Sequence, residues 1–281
     1  LVPALAALQG SVVFSAEGLS WLFSHEAIAD LKQQLDRHFD DIRVITYLRR
    51  QDQQLLSHYQ QASKSISSPA YRLYGPDVRA LPAHRPEFDY YLDYASRIGK
   101  WADVFGDEAM IIRPFQRDVL RDGDVVADFF AVLGVDSQVP HPQRNTSRSL
   151  EQTKVGLLMN QVQMPREMRK PILAALGNSG RFLPSREEAQ ALYAHYRPSN
   201  VRLNERFRIS KTPGIFSEDF SSYPEEKTEQ WTEQSANDTI AVILQQLMQL
   251  QESTQQHDPD NSSRKSRVAG FIKRQVQKYS R

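Results

Sequence analysis

Short runs of β-branched residues alternate with amphipathic stretches through the first half of the chain. The β-branched runs predict buried strands at 11–15, 42–48 and 109–112. Helical spacing of apolar residues predicts helices around 27–35, 50–65, 87–105 and 123–133. Strands that alternate with helices indicate an α/β fold with a parallel sheet.

The second half of the chain carries helical periodicity only. It predicts helices near 147–162, 165–177, 185–196, 199–208 and 237–251. Pro198 is expected to end one helix, and Ser199 can cap the next. Residues 67–86 hold four prolines and predict a long loop, a kind of segment that is often functional inside a compact domain.

Three regions follow from these patterns. We expect an α/β domain at 1–230, a C-terminal helix at 231–252, and a polar linker with a basic tail at 253–281. Residues 264–281 contain seven Lys or Arg and no acid, so the rest of a chain of net charge +1 sums to −6. Apolar positions spaced by three and four predict an amphipathic helix in this tail. Such a helix would lie on an anionic membrane surface or dock on the acidic body; the alternative is that the tail stays unstructured.

Composition narrows the function classes. The chain has no cysteine, which excludes disulfides and thiolate zinc sites, and its seven histidines include no i, i+4 pair, so we expect no metal. The basic residues concentrate in the tail rather than in the fold, which argues against a nucleic-acid partner. No apolar run reaches bilayer length. We therefore expect a cytoplasmic protein, membrane-peripheral if the tail binds lipid.

Candidate chemistry lies at the predicted strand ends, where ligands of parallel sheets bind. Glu17 follows the first strand, Arg49 ends the second and Arg113 ends the third. Ser57 stands two turns into the helix after Arg49, so an Arg fork and a hydroxyl can hold one phosphate. The alternatives are ordinary solvated charges, a helix-capping role for Glu17, and an ion pair for Arg113.

The loop at 67–86 adds a second candidate surface. Arg72, His84 and Arg85 occur there beside tyrosines, and cations with aromatic rings suit an acidic or sulfated sugar chain. A solvated loop without a ligand explains the same residues equally well.

The segment VITYLRRQDQQLLSHYQQASK resembles the 3′-phosphate-binding segment of sulfotransferases that use 3′-phosphoadenosine 5′-phosphosulfate. In those proteins a strand ends in Arg and a Ser follows eight positions later, before an aromatic residue; Arg49, Ser57 and Tyr59 match. The stretches WADVFGDEAMIIRPFQRDVLRDGDVVADFFAVLGVD and FLPSREEAQALYAHYRPSNVRLNERF are similar to bacterial members. The resemblance covers roughly residues 10–220.

The resemblance implies a three-layer P-loop-like fold with a helical C-terminal half. It implies sulfuryl transfer from 3′-phosphoadenosine 5′-phosphosulfate to a hydroxyl of a carbohydrate or polysaccharide, without a metal. Glu17 matches the base of glycan-modifying members, and Arg49 and Ser57 match the 3′-phosphate contacts. The Gly-rich phosphosulfate loop of the family is not found, and we expect it upstream of Leu1; the alternative is a degenerate homologue that lacks the loop.

Two other functions stay open at this point. One is a kinase-like phosphoryl transferase on a similar fold. The other is a non-catalytic binding domain in a larger surface-polysaccharide assembly protein.

Overall fold

Two strands pair in parallel in the computed structural model, which describes residues 10–75, 77–135 and 148–256. Strand β1 is Val44–Leu48 and strand β2 is Met110–Pro114, with Val44 opposite Met110 and Leu48 opposite Pro114. The amide of Phe115 donates to the Leu48 carbonyl at 2.7 Å, which continues the pairing past the strand ends. The predicted parallel pairing of these two runs is confirmed.

Helices make up most of the described chain, so the fold is mixed α/β with a small sheet. The α-helices are α1 His25–Leu35, α2 Gln51–Ala62, α3 Pro69–Tyr74, α4 Asp89–Leu92, α5 Tyr94–Phe105, α6 Val125–Val132, α7 Leu150–Gln161, α8 Arg166–Ala175, α9 Arg186–Phe207 and α10 Glu233–Gln256. Short 3₁₀ turns lie at Glu17–Trp21, Pro86–Phe88, Asp107–Ala109 and Arg121–Gly123. Among the described helices, none has the length and apolarity that crossing a bilayer requires.

The chain divides into two compact units. The first comprises the described parts of Leu1–His58, Leu81–Thr146 and Pro184–Glu226. The second comprises the described parts of Tyr59–Ala80, Ser147–Leu183 and Lys227–Arg281. The domain boundaries predicted at 230 and 252 stay predictions, and the basic tail lies outside the described residues.

The first unit contains the sheet. Helix α5 packs against α1 and α9, because its apolar stripe faces inward between them. The core beneath β1 and β2 consists largely of Ile28, Leu48, Ile98, Trp101, Phe105, Leu203 and Phe216. Burial of this stripe removes several large side chains from water and is the main stabilising term of the unit.

The second unit is helical where it is described. Helix α8 packs against α7 and α10, and Val155, Met159, Ile172 and Leu176 form its apolar core. The predicted helical character of the second half of the chain is confirmed.

The strand predicted at 11–15 is wrong. Residues 11–16 have no regular structure, and Val13 and Phe14 are 53% and 39% exposed. Among the described residues the sheet consists of β1 and β2 alone, and the run at 11–15 pairs with neither of them.

Two predicted helix boundaries are also wrong. The segment 87–105 is interrupted at Asp93, whose ψ of 89° leaves the helix and whose carboxylate accepts from the Ser96 amide at 3.1 Å. Conversely, α9 runs straight through Pro198 instead of stopping there. Tyr196 and Leu203 are buried on either side of that proline, and their packing outweighs the roughly 3 kcal/mol that an interior proline costs.

The proline-rich loop and the last helix differ from their predictions in extent. Residues 69–74 of the predicted loop form α3, because the Ser68 hydroxyl accepts from the Tyr71 amide and Pro69 occupies the first turn. Helix α10 continues to Gln256, so residues 253–256 of the predicted linker are helical.

Two helical glycines allow a matched test of packing. A Cβ added at Gly156 would lie 2.5 Å from the Ser63 carbonyl oxygen, whereas one added at Gly99 meets only the Arg206 guanidinium at 3.5 Å. We expect Gly156→Ala to lower the free energy of unfolding by about 2–3 kcal/mol. Gly99→Ala should raise it by up to about 1 kcal/mol, since alanine favours helix. Urea denaturation measures both, and equal effects would contradict this account of the α7 contact.

Candidate anion-binding site

Arg49 occupies the position directly after β1. Its guanidinium lies over the Phe115 ring at 4.4 Å, and its carbonyl accepts from the Tyr94 hydroxyl at 2.6 Å. Burial lowers the pKa of Arg49. Among the residues the structure describes, no carboxylate lies within 4 Å of this guanidinium. The strand therefore ends in a half-buried cation whose charge has no acidic partner there.

The next residue, Arg50, has the opposite environment. Its guanidinium pairs with the Asp52 carboxylate at 2.8 and 3.1 Å. It also donates to the carbonyls of Ser217 and Asp219 at 2.7 and 2.6 Å, and it lies 3.8 Å from the Phe220 ring. Arg50 is 2% exposed and these contacts use four of its five N–H donors, so it stabilises the fold and is closed to a ligand.

Arg97, on α5, is a further buried cation of the first unit. It is 8% exposed and lies over the rings of Tyr91 and Tyr94 at 4.2 and 5.1 Å. Its Nη1 has no hydrogen-bond partner in the part of the chain that is described. A buried donor without an acceptor is costly, and a bound anion would satisfy it.

The charges of Arg97 and Arg49 both act on the ionisation of His58. Burial, together with the positive charges of Arg97 and Arg49, lowers the pKa of His58 to about 4. The neutral ring accepts or donates one hydrogen bond with the Gln54 amide at 2.6 Å and packs 4.7 Å from the Tyr91 ring. Keeping His58 uncharged prevents a third positive charge near Arg49 and Arg97.

Glu17 and Ser57 lie on elements that meet near His58. Glu17 is exposed at the start of a 3₁₀ turn, and Trp21 at the end of that turn stacks on the His58 ring at 5.5 Å. Ser57 precedes His58 on α2 and is half-buried. The turn with the predicted base is thus in contact with the helix that carries the predicted phosphate donor.

Arg113 is engaged in an ion pair. Its Nη2 and Nε donate to the Asp128 carboxylate at 2.6 and 3.0 Å, and the Tyr47 hydroxyl donates to the same group at 2.8 Å. Burial opposes ionisation of Asp128, but these donors outweigh it and lower the pKa of the carboxyl. The ion-pair alternative for Arg113 therefore describes the structure, and a substrate contact stays a prediction.

The remaining loop candidates are divided between the two units. Arg72 lies in the last turn of α3 in the second unit and is exposed. His84 and Arg85 belong to the first unit, where His84 contacts Asp89 at 3.2 Å and Arg85 lies 5.1 Å from the Phe88 ring. Their role in binding a sugar chain stays a prediction.

Arg97 is the residue that the sequence interpretation missed. It stands three residues after Tyr94 and four before Trp101, on the apolar stripe of α5. A cation on the buried face of so amphipathic a helix is a signal for an internal charge that needs an acceptor.

Part of the chain is similar to an archaeal protein. No family model and no solved structure matches the chain. An uncharacterized protein of Archaeoglobus fulgidus is 35% identical over 103 residues. The aligned stretch is 36% of this chain and 25% of that protein, so the chain matches about a quarter of its relative's length.

The low pKa of His58 predicts how stability depends on pH. The unfolded imidazole takes up a proton below about pH 6.5, whereas the folded ring does so only near pH 4. Stability is therefore lost as the pH falls from about 6.5 to about 4, by up to about 3 kcal/mol.

His58→Gln removes this titration and keeps a hydrogen-bonding group for Gln54. In urea titrations, the wild type should lose stability relative to His58→Gln as the pH falls through that window. The exposed His38→Gln serves as the control. If the difference in unfolding free energy between wild type and His58→Gln does not change with pH, His58 is not a buried neutral group.

Proposed function

We propose that this protein is a sulfotransferase that moves a sulfuryl group from 3′-phosphoadenosine 5′-phosphosulfate to a hydroxyl of a carbohydrate or polysaccharide. The observation that carries the proposal is Arg49, a half-buried cation at the carboxyl end of a parallel strand, without an acidic partner among the described residues. Such a cation suits a phosphate dianion, since a charge-assisted hydrogen bond is the strong kind. The resemblance of residues 44–64 to the 3′-phosphate-binding segment of sulfotransferases supports the same assignment.

The proposal extends to the architecture. A three-layer P-loop-like fold has parallel strands followed by helices, and β1 followed by α2 is one such unit. In this arrangement Arg49 and Ser57 hold the 3′-phosphate, one from the strand end and one from the helix. The 5′-phosphosulfate requires further donors, which a Gly-rich loop supplies in the family that this segment resembles.

The chemistry assigned to Glu17 is general-base catalysis. Its carboxylate takes the proton of the acceptor hydroxyl as the hydroxyl oxygen bonds to sulfur. The bond from sulfur to the bridging phosphate oxygen breaks, and adenosine 3′,5′-bisphosphate leaves with the electron pair. The exposed position of Glu17 on a short turn leaves it accessible to a large acceptor.

A cleft in the first unit supports a sugar acceptor. It has a volume of about 170 Å³ and is lined by Phe23, Tyr90, Ser96, Lys100, Asp89, Asp93 and Arg97. Tyr90 is 58% exposed and stacks 6.1 Å from the Phe23 ring. Exposed aromatic rings beside charged and hydroxyl groups offer both apolar faces and hydrogen bonds to a carbohydrate.

The nucleotide assignment predicts a specific loss of affinity. Arg49→Ala should weaken the binding of adenosine 3′,5′-bisphosphate by about 10- to 100-fold, because a charged hydrogen bond contributes roughly 1.5–3 kcal/mol. Ser57→Ala should weaken it by about 10-fold. Isothermal titration calorimetry on the natural full-length protein measures both.

Arg43→Ala is the matched control for this experiment. Arg43 stands just before the same strand at its opposite end, where it pairs with Asp41 and donates to the Glu108 carbonyl at 2.9 Å. It should leave the nucleotide affinity unchanged. If Arg49→Ala binds as tightly as wild type, Arg49 does not hold the phosphate. If ATP binds and the bisphosphate does not, the protein is not a sulfotransferase.

The base assignment predicts a loss of rate with little loss of affinity. Glu17→Gln keeps the size and polarity of the side chain but removes its basicity. Turnover with 3′-phosphoadenosine 5′-phosphosulfate and a polysaccharide acceptor should fall by about 10²- to 10⁴-fold. Affinity for the bisphosphate should stay within a factor of about two of wild type, and a parallel loss of affinity and rate would point to a structural role for Glu17.

A further inference from the structure

Two histidines and an aspartate that are distant in sequence converge in the first unit. His84 comes from the segment before the Pro86–Phe88 turn, Asp89 is the first residue of α4, and His195 lies in the middle of α9. One ring nitrogen of each histidine and one carboxylate oxygen all lie within 4.8 Å of one another. The two imidazole rings are 4.4 Å apart between centroids.

The distances are close to those of a metal coordination sphere. The Asp89 Oδ1 atom lies 3.2 Å from His84 Nε2 and 3.9 Å from His195 Nε2. Zinc binds nitrogen and oxygen at about 2.0–2.2 Å, so two of its tetrahedral ligands stand about 3.3 Å apart. His84 and Asp89 already have this separation, and His195 Nε2 stands slightly beyond it at 3.9 Å from the Asp89 oxygen.

Neighbouring groups hold the three side chains in place. The Tyr196 hydroxyl donates to Asp89 Oδ1 at 2.9 Å. The His84 ring lies edge-on to Phe88 at 6.0 Å, and the His195 ring lies edge-on to Tyr196 at 4.7 Å. Hydrogen bonds and packing from a surrounding shell of this kind orient metal ligands and increase their affinity.

We propose that His84, Asp89 and His195 bind a divalent transition-metal ion of the zinc class. Two imidazoles and one carboxylate suit zinc, cobalt or nickel, whereas magnesium and calcium select oxygen ligands. The three side chains are 36%, 44% and 50% exposed, so solvent supplies the remaining coordination. The ion fastens α9 to the segment ahead of α4 within the first unit. Asp89 also lines the cleft proposed above for the acceptor, but the sulfuryl transfer proposed there uses no metal.

Direct metal binding tests the proposal. Zinc is titrated calorimetrically into the full chain, made without a histidine tag and stripped with a chelator. We expect one ion per chain at this site. His84→Asn and His195→Asn should each weaken binding by at least about 10- to 100-fold, the loss that even an outer-shell substitution causes. His25→Asn and His38→Asn, at exposed positions on and just after α1, should change nothing.

A spectroscopic reading makes the test independent of activity. Cobalt bound in place of zinc should produce visible ligand-field absorption that disappears in His84→Asn. Asp89→Asn keeps an acceptor for Tyr196 and therefore tests the carboxylate even if a histidine variant is poorly folded. No zinc binding by the wild type, binding unaffected in His84→Asn and Asp89→Asn, or equal losses in His25→Asn would each overturn the proposal.

Discussion

The buried ion pair between Arg50 and Asp52 is the interaction on which the first unit depends most. It joins the start of α2 to residues 217–223, a segment without helix or strand, through carbonyls of that segment and the Tyr223 hydroxyl on Asp52 at 2.7 Å. Asp52 is fully buried. Removing one partner of such a pair leaves an uncompensated charge, a loss of about 3–5 kcal/mol. The pair therefore holds an irregular segment against the end of β1.

The same pair determines the state of the neighbouring arginine. Asp52 and two carbonyls bind Arg50, and Asp128 binds Arg113, so both of these carboxylates are already engaged. Arg49 is left with an aromatic ring and a buried setting but no acidic partner. Burial, and then the positive charges of this region, lower the pKa of His58. An anionic ligand would relieve its repulsion, which connects the packing of the core to the proposed nucleotide site.

Local pattern predicted most elements of this protein, and it failed where packing overrode it. Periodicity located α1, β1, β2 and α6, because each depends on residues close together in the chain. Proline at 198 predicted a helix end, yet the buried residues Tyr196 and Leu203, before and after it, carry the helix through it. The β-branched run at 11–15 predicted a strand, but a strand also needs a neighbour, and sequence pattern does not supply one.

Sequence alone determined that β1 and β2 pair in parallel, that the second half of the chain is helical, and that Arg49 and Ser57 are candidate phosphate ligands. Only the tertiary structure decided which of two consecutive arginines has its charge neutralised. It also placed Asp128 against Arg113, and His195 beside His84 and Asp89. The physical reason is that periodicity reports which side chains are buried, whereas the partner of a buried charge is selected by contacts between distant segments.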